Sequence, residues 1–153
     1  MKLILLYILF PMVIAQNSKL DLGVKLFQKN VVGKINLLTY PAQTERCFII
    51  KNDSIEYNVA ITNDSIINYI STNDINFKTI DGYNVGSNYT KINEIKITHW
   101  RGWGKFIKLD SGWNAVFKDE LLNNDSKIIF FFKFDKKLRT IKKKDDLKMK
   151  IKW

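Results

Sequence analysis

Residues 52–74 read NDSIEYNVAITNDSIINYISTND, and the punctuation of that stretch decides the fold class. Asn52-Asp53-Ser54, Asn63-Asp64-Ser65 and Asn73-Asp74 recur at spacings of 11 and 10 residues. Asn and Asp tolerate left-handed backbone and hydrogen-bond their own turn, so they mark reversals of the chain. Between them, Ile55 to Ile61 and Ile66 to Ile70 are rich in β-branched and aromatic residues, which suit a pleated surface. Short apolar runs separated by turn signals every ~8–12 residues predict an antiparallel meander.

Working outward, Leu20, Leu22, Val24 and Leu26 alternate with Asp21, Gly23 and Lys25, the period of a half-buried strand. Lys34 to Tyr40 reads as another strand, ended by Pro41. Downstream, Lys105 to Leu109 and Trp113 to Phe117 flank Asp110-Ser111-Gly112, a hairpin in which Gly112 supplies positive φ. Asn124-Asp125-Ser126 precedes Ile128 to Phe134, a dense apolar run predicted to be a central strand. The one expected helix is short, Ser87 to Glu94, with Ser87 as its N-cap. Leu147 to Trp153 alternates apolar residues with Lys148, Lys150 and Lys152, as in a strand whose lysines guard a sheet edge. The expected fold is β-dominated α+β: a single antiparallel sheet or meander of about seven to ten strands with one short helix.

The N-terminus carries a different message. Lys2 precedes an apolar run, Leu3 to Ile14, and Val13-Ile14-Ala15 places short side chains before a potential cut. This is the signal-peptide pattern, and the run falls well short of the ~20 residues that span a bilayer. The expectation is a signal peptide over 1–15 and one β-rich domain over 16–153. Gln16 rather than Cys would follow the cut, so the exported protein, periplasmic or secreted, is not expected to be lipid-anchored.

The chain has 25 basic and 15 acidic residues, a formal charge of +10. Residues 127–153 hold 11 of the basic and 3 of the acidic ones, so the excess lies at the C-terminal end. Lys, Asn and Ile number 22, 15 and 21, a skew that an AT-rich genome produces without selection for a partner. Four triplets, at Asn52, Asn63, Asn88 and Asn124, match the N-glycosylation acceptor pattern, as chance allows in so Asn- and Ser-rich a chain.

Chemistry-bearing residues are few. His99 is the only histidine and Cys47 the only cysteine, so triads and structural zinc sites lack their parts. Cys47 sits in Cys47-Phe48-Ile49-Ile50 and reads as a small buried hydrophobe. No nucleotide-binding or calcium loop is present, and no carboxylate pair is marked. Neither enzyme activity, nor a cofactor, nor a metal is expected.

Two segments look specified: Phe77 to Ser87, and Gly102-Trp103-Gly104 through Trp113 to Phe117. Glycine beside tryptophan reads either as corner packing against a large ring or as a surface aromatic platform of Trp100, Arg101 and Trp103. The pattern F-x-T-x-D-G-x-x-V-G-S, G-W-G and S-G-W-x-A-x-F resembles small exported bacterial proteins of no assigned activity, over roughly 66–133. Val85-Gly86-Ser87 is also similar to the glycine-then-helix unit of β-lactamase-inhibitor-like and outer-membrane-assembly lipoprotein domains, although their second helix, Gly-x-Pro and lipoprotein cysteine are absent from this sequence. That resemblance implies an exported, non-enzymatic α+β protein that binds other proteins. The alternative partner is an anionic polymer or membrane surface, met through the C-terminal lysines; no specific recognition of nucleic acid is expected. The candidate contact residues are therefore Trp100, Arg101, Trp103, Lys148, Lys150 and Lys152.

Overall fold

A computed structural model describes residues 20–41, 43–88, 97–118 and 122–138. The predicted signal segment, most of the predicted helix and the strand carrying Lys148, Lys150 and Lys152 lie outside them. The described chain is β-dominated. After a short 3-10 turn at Gln28–Asn30 come β1 (Val31–Tyr40), β2 (Gln43–Asn52), β3 (Ile55–Ile61), β4 (Ile67–Thr72), β5 (Thr98–Trp100), β6 (Gly104–Lys108), β7 (Asn114–Phe117) and β8 (Ile128–Phe134). They form one open antiparallel sheet in the order β1-β2-β3-β4-β8-β7-β6-β5. Two four-stranded meanders, each built of sequential hairpins, thus join through the last strand of each.

The turns account for the hairpins. Asn52 pairs with Ile55, and the two residues between them, Asp53 and Ser54, have φ of 50° and 68°. That is the two-residue turn whose twist matches the flanking strands. A second turn recurs three times. At 62–66 the amide of Thr62 donates to the carbonyl of Ile66, the amide of Ser65 donates to the carbonyl of Thr62, and Ser65 has φ 63°. The same pair of bonds links Thr79 with Tyr83 and Gly82, and Leu109 with Trp113 and Gly112. Gly82 and Gly112 hold the left-handed position at φ 89° and 82°. The reading of Gly112 as the pivot of a hairpin therefore holds.

Three local expectations are corrected. Residues 20–26 do not form a strand; Lys25 makes one isolated bridge to Ile66, because Gly23 at φ 79° breaks the extended run. The alternation survives as packing: Leu20 and Leu22 lie against the core, and Leu26 is buried within it. Asn73-Asp74 does not close a hairpin onto the next strand; it opens a long excursion, and β4 pairs instead with β8, Tyr69 opposite Phe134 and Thr72 opposite Phe131. Ser87 is not a helix N-cap. It closes an Asn84–Ser87 turn, its hydroxyl donating to Asn84 Oδ1 at 2.8 Å, and its carbonyl accepts from the amide of Ile128.

Apolar side chains fill both faces of the sheet. On one face Ile50, Val59, Ile70, Ile107, Phe117 and Phe131 form a core covered by the 20–26 segment and by Phe77, Tyr83 and Val85. Lys133 anchors that cover, with Nζ 3.3 Å from Asp21 and 4.9 Å from the Trp113 ring centroid. On the other face Cys47, Ala60, Tyr69, Trp103, Phe106, Val116 and Phe132 pack together. Cys47 is fully buried there, as its apolar neighbours predicted. Ile128–Phe134 is the central strand that its composition predicted, paired on both sides.

Candidate binding cleft

The second face is where the sheet stays accessible. Strand β5 ends in Trp100, and the chain reverses through Arg101 and Gly102, with the amide of Trp103 donating to the carbonyl of Trp100 at 3.0 Å. This turn folds over the sheet toward β1. A Cβ placed on Gly102 would lie 3.0 Å from Leu38 Cδ2. The Tyr40 and Trp100 rings stand 5.1 Å apart, edge to face. The two ends of the sheet therefore approach each other through these contacts, and the face between them is concave.

The hollow is a cleft of ≈ 650 Å³. One wall is Ile35, Leu37 and Leu38 of β1 with Ile49 of β2. The floor is Asn58 of β3 with Tyr69, Ser71 and Thr72 of β4. The far wall is Gly102, Trp103, Ile129 and Phe130. Its rims are apolar and open: Ile35 is 39 % exposed and Ile129 37 %. Ile129 reaches the rim because a bulge in the β7–β8 pairing shifts the register between Val116 and Phe117.

One end of the cleft is polar and tightly held. Glu56 and Asn73 stand there with Thr72. Asp74, just outside, accepts hydrogen bonds from the amides of Glu56 (3.0 Å) and Asn76 (2.9 Å). Thr72 Oγ1 donates to the Glu56 carbonyl at 2.7 Å and accepts from the Asp74 amide at 3.1 Å. The amides of Asn76 and Glu56 hold the Asp74 carboxyl below the usual carboxylate range. Burial, with Asp53 and Asp74 adding negative potential, pushes the Tyr57 phenol up. Among the described residues, no three His, Cys, Asp or Glu side chains gather as a metal site would need.

Of the residues singled out in sequence, Trp100 and Trp103 come together and Arg101 lies at the turn tip. Trp103 is not part of an exposed platform: it is 6 % exposed. Its ring packs at 4.4 Å from Phe132, 5.7 Å from Trp100 and 5.8 Å from Phe130. Trp100 is half-buried against Phe106 and Phe134, and Arg101 is exposed. The physical reason is the turn itself, which points the second ring back onto the sheet. Trp103 nonetheless contributes to the cleft as part of its wall. Ile35, Leu37, Ile49 and Ile129 escaped sequence reasoning; the signal was apolar residues on a strand that also carries exposed Lys34 and Asn36.

No protein-family model matches the chain, and neither the curated proteins nor the solved structures contain a match to it.

Proposed function

We propose that this is an exported, non-enzymatic protein that binds another protein, and that the cleft between β1–β2 and β8 receives a segment of it. The observation that carries the reading is the open apolar rim, Ile35 and Ile129 facing each other across a hollow floored by Tyr69 and Ser71. Apolar surface of this kind, edged by polar groups such as Glu56 and Asn73, is what a partner's side chains cover. Export rests on the signal-like segment 1–15 and predicts an intact mass beginning at Gln16. A product retaining Met1 removes that part of the proposal.

The binding claim is tested by selecting displayed peptides on the immobilised protein. Selected peptides should lose binding to Ile35→Asp and Ile129→Asp, both partly exposed positions, with little change in melting temperature. Selection of nothing, or binding that ignores both substitutions, overturns it.

One observation favours a second reading, contact with an anionic polymer or membrane surface: residues 127–153 carry 11 basic and 3 acidic side chains. Adhesion of that kind weakens steeply with salt, as counterion release requires. Replacing Lys148, Lys150 and Lys152 with Gln should then reduce retention on heparin; failure of the unaltered protein to be retained at low salt ends this reading.

A further inference from the structure

The wall of the cleft is also an edge of the sheet. Strand β1 stands first in the strand order, and among the described residues it pairs only with β2. It is ten residues long, or ~33 Å at ordinary strand rise. Bulges interrupt its register between Val31 and Gly33 and between Leu38 and Tyr40, leaving a regular stretch over 33–38. Side chains alternate over 34–37, beyond which Leu38 also turns to the cleft wall and meets Gly102. Ile35 and Leu37 face the cleft. Lys34 and Asn36 face the opposite side, where Arg46 of β2 stands opposite Asn36; these three, with the flank of Ile35, line a second hollow of ≈ 310 Å³. Lys34 Nζ lies 5.6 Å from the Phe48 ring centroid and is exposed.

We infer that the partner segment binds as an added strand on the outer edge of β1, with apolar side chains entering the cleft beside Ile35 and acidic side chains meeting Lys34 and Arg46 on the other face. The inference rests on the protein-binding reading and gives it a mode and a sequence pattern. An exposed edge offers a row of main-chain donors and acceptors, and a strand laid on it sends successive side chains to opposite faces. One face here is apolar and concave, the other cationic. The complementary segment therefore alternates apolar residues with Asp or Glu over five or six positions.

The same charges argue against a second copy of this chain as the occupant. Pairing β1 with β1 of another copy, antiparallel about a two-fold axis normal to the sheet, places both Lys34–Arg46 strips on one face. Like charges brought together across a strand pair are destabilising. Lysine on an edge strand blocks self-association while leaving an acidic strand free to add.

The test uses a synthetic peptide of about eight residues, enough at ~3.3 Å per residue to cover the regular stretch, with alternating Val/Phe and Glu. Three companions accompany it: the Lys-for-Glu version, and two versions N-methylated at alternate amides, one for each register. Binding to the full chain is followed by calorimetry, with melting temperature as a control on each variant. The inference expects the Glu peptide to bind, the Lys peptide not to, and one N-methylated version to lose binding. Lys34→Glu with Arg46→Glu should weaken the Glu peptide by about tenfold or more and admit the Lys peptide. If both N-methylated peptides bind as well as the parent, strand addition is overturned while the cleft remains a protein-binding site. If the Glu peptide fails yet displayed peptides bind in an Ile35- and Ile129-dependent way, the same holds. A dimer in sedimentation, strengthened by Lys34→Glu and closed to the peptide, would name a second copy and overturn the inference.

Discussion

At the scale of single residues, backbone conformation sets the strictest demands. Gly104 has φ 89°, and a Cβ there would lie 2.7 Å from the Phe117 carbonyl oxygen. Neither the dihedral nor the space admits another side chain. Gly104→Ala should destabilise by ~2–4 kcal/mol, strain and clash together, as read by urea denaturation. Gly112 has the same dihedral class but open surroundings, with nothing closer than Lys133 Cε at 4.0 Å. Gly112→Val should therefore show the dihedral penalty alone, ~1–3 kcal/mol. Asp74 makes a different kind of demand. Its folded carboxyl is held below its ordinary value, so it contributes stability above the unfolded pKa, lost as pH falls through the folded one. The expected result is an acid-side decline below about pH 4 that is shallower in Asp74→Asn than in the unaltered protein. Denaturation midpoints across pH 2–6 check the sign.

At the scale of elements, the repeated turn explains why so much of the fold was legible. The turns at 52–55, 62–66 and 109–113 each fall on an Asn/Asp/Ser/Gly cluster; the hairpins closed at 62–66 and 109–113 were foreseen almost to the residue, whereas β2, the strand that enters the 52–55 turn, was read only as the buried run Cys47 to Ile50. The left-handed positions take Asp53 and Ser54 at the first turn, Ser65 at the second and Gly112 at the third, a local requirement that composition reveals. Thr62 and Thr79 add a second local bond, their hydroxyls accepting from the amides of Ile66 (3.2 Å) and Tyr83 (3.1 Å). Thr62→Val and Thr79→Val should each lower stability by ~1 kcal/mol, since the shape is kept and one bond is lost. Ser65→Gly should be neutral or stabilising, because it relieves the left-handed serine. Local signals failed where a segment's partner was distant. Asn73-Asp74 has the chemistry of a hairpin turn, yet the strand that completes β4 lies after residue 127. Ser87 has the chemistry of a cap, yet its backbone is claimed by Ile128. The cleft was illegible for the same reason. Its walls come from β1, β2, β3, β4, β8 and the turn between β5 and β6, and only the pairing order shows that Ile35 and Ile129 share a hollow.

At the scale of the whole molecule, the sheet is strongest at its seam. β4 is buried along its whole length, and β8 contributes Ile128, Phe131 and Phe132, each at most 1 % exposed. β5 is three residues long, with no buried position, and β1 has a single one, Thr39. Opening free energy follows such burial. Amide exchange should therefore be slowest in β4 and β8, approaching the global limit, and fastest in β5 and the first half of β1. A protected β1 in the isolated protein would show that its edge is already covered. Binding of the alternating acidic peptide should raise protection in β1 first.

The seam also has a history in the life of the chain. Ribosomes deliver β1 through β4 well before β8, so the first meander waits with its most buried strand as an open flank. Non-local pairing of this sort is slow and leaves such a flank exposed to other nascent chains. Among the described strands, a message that stops before Ile128 would leave two half-sheets with four open flanks in place of two. Such a product is no smaller copy of the protein but a substrate for chaperones and proteases, whereas loss of β5 would merely pare one margin.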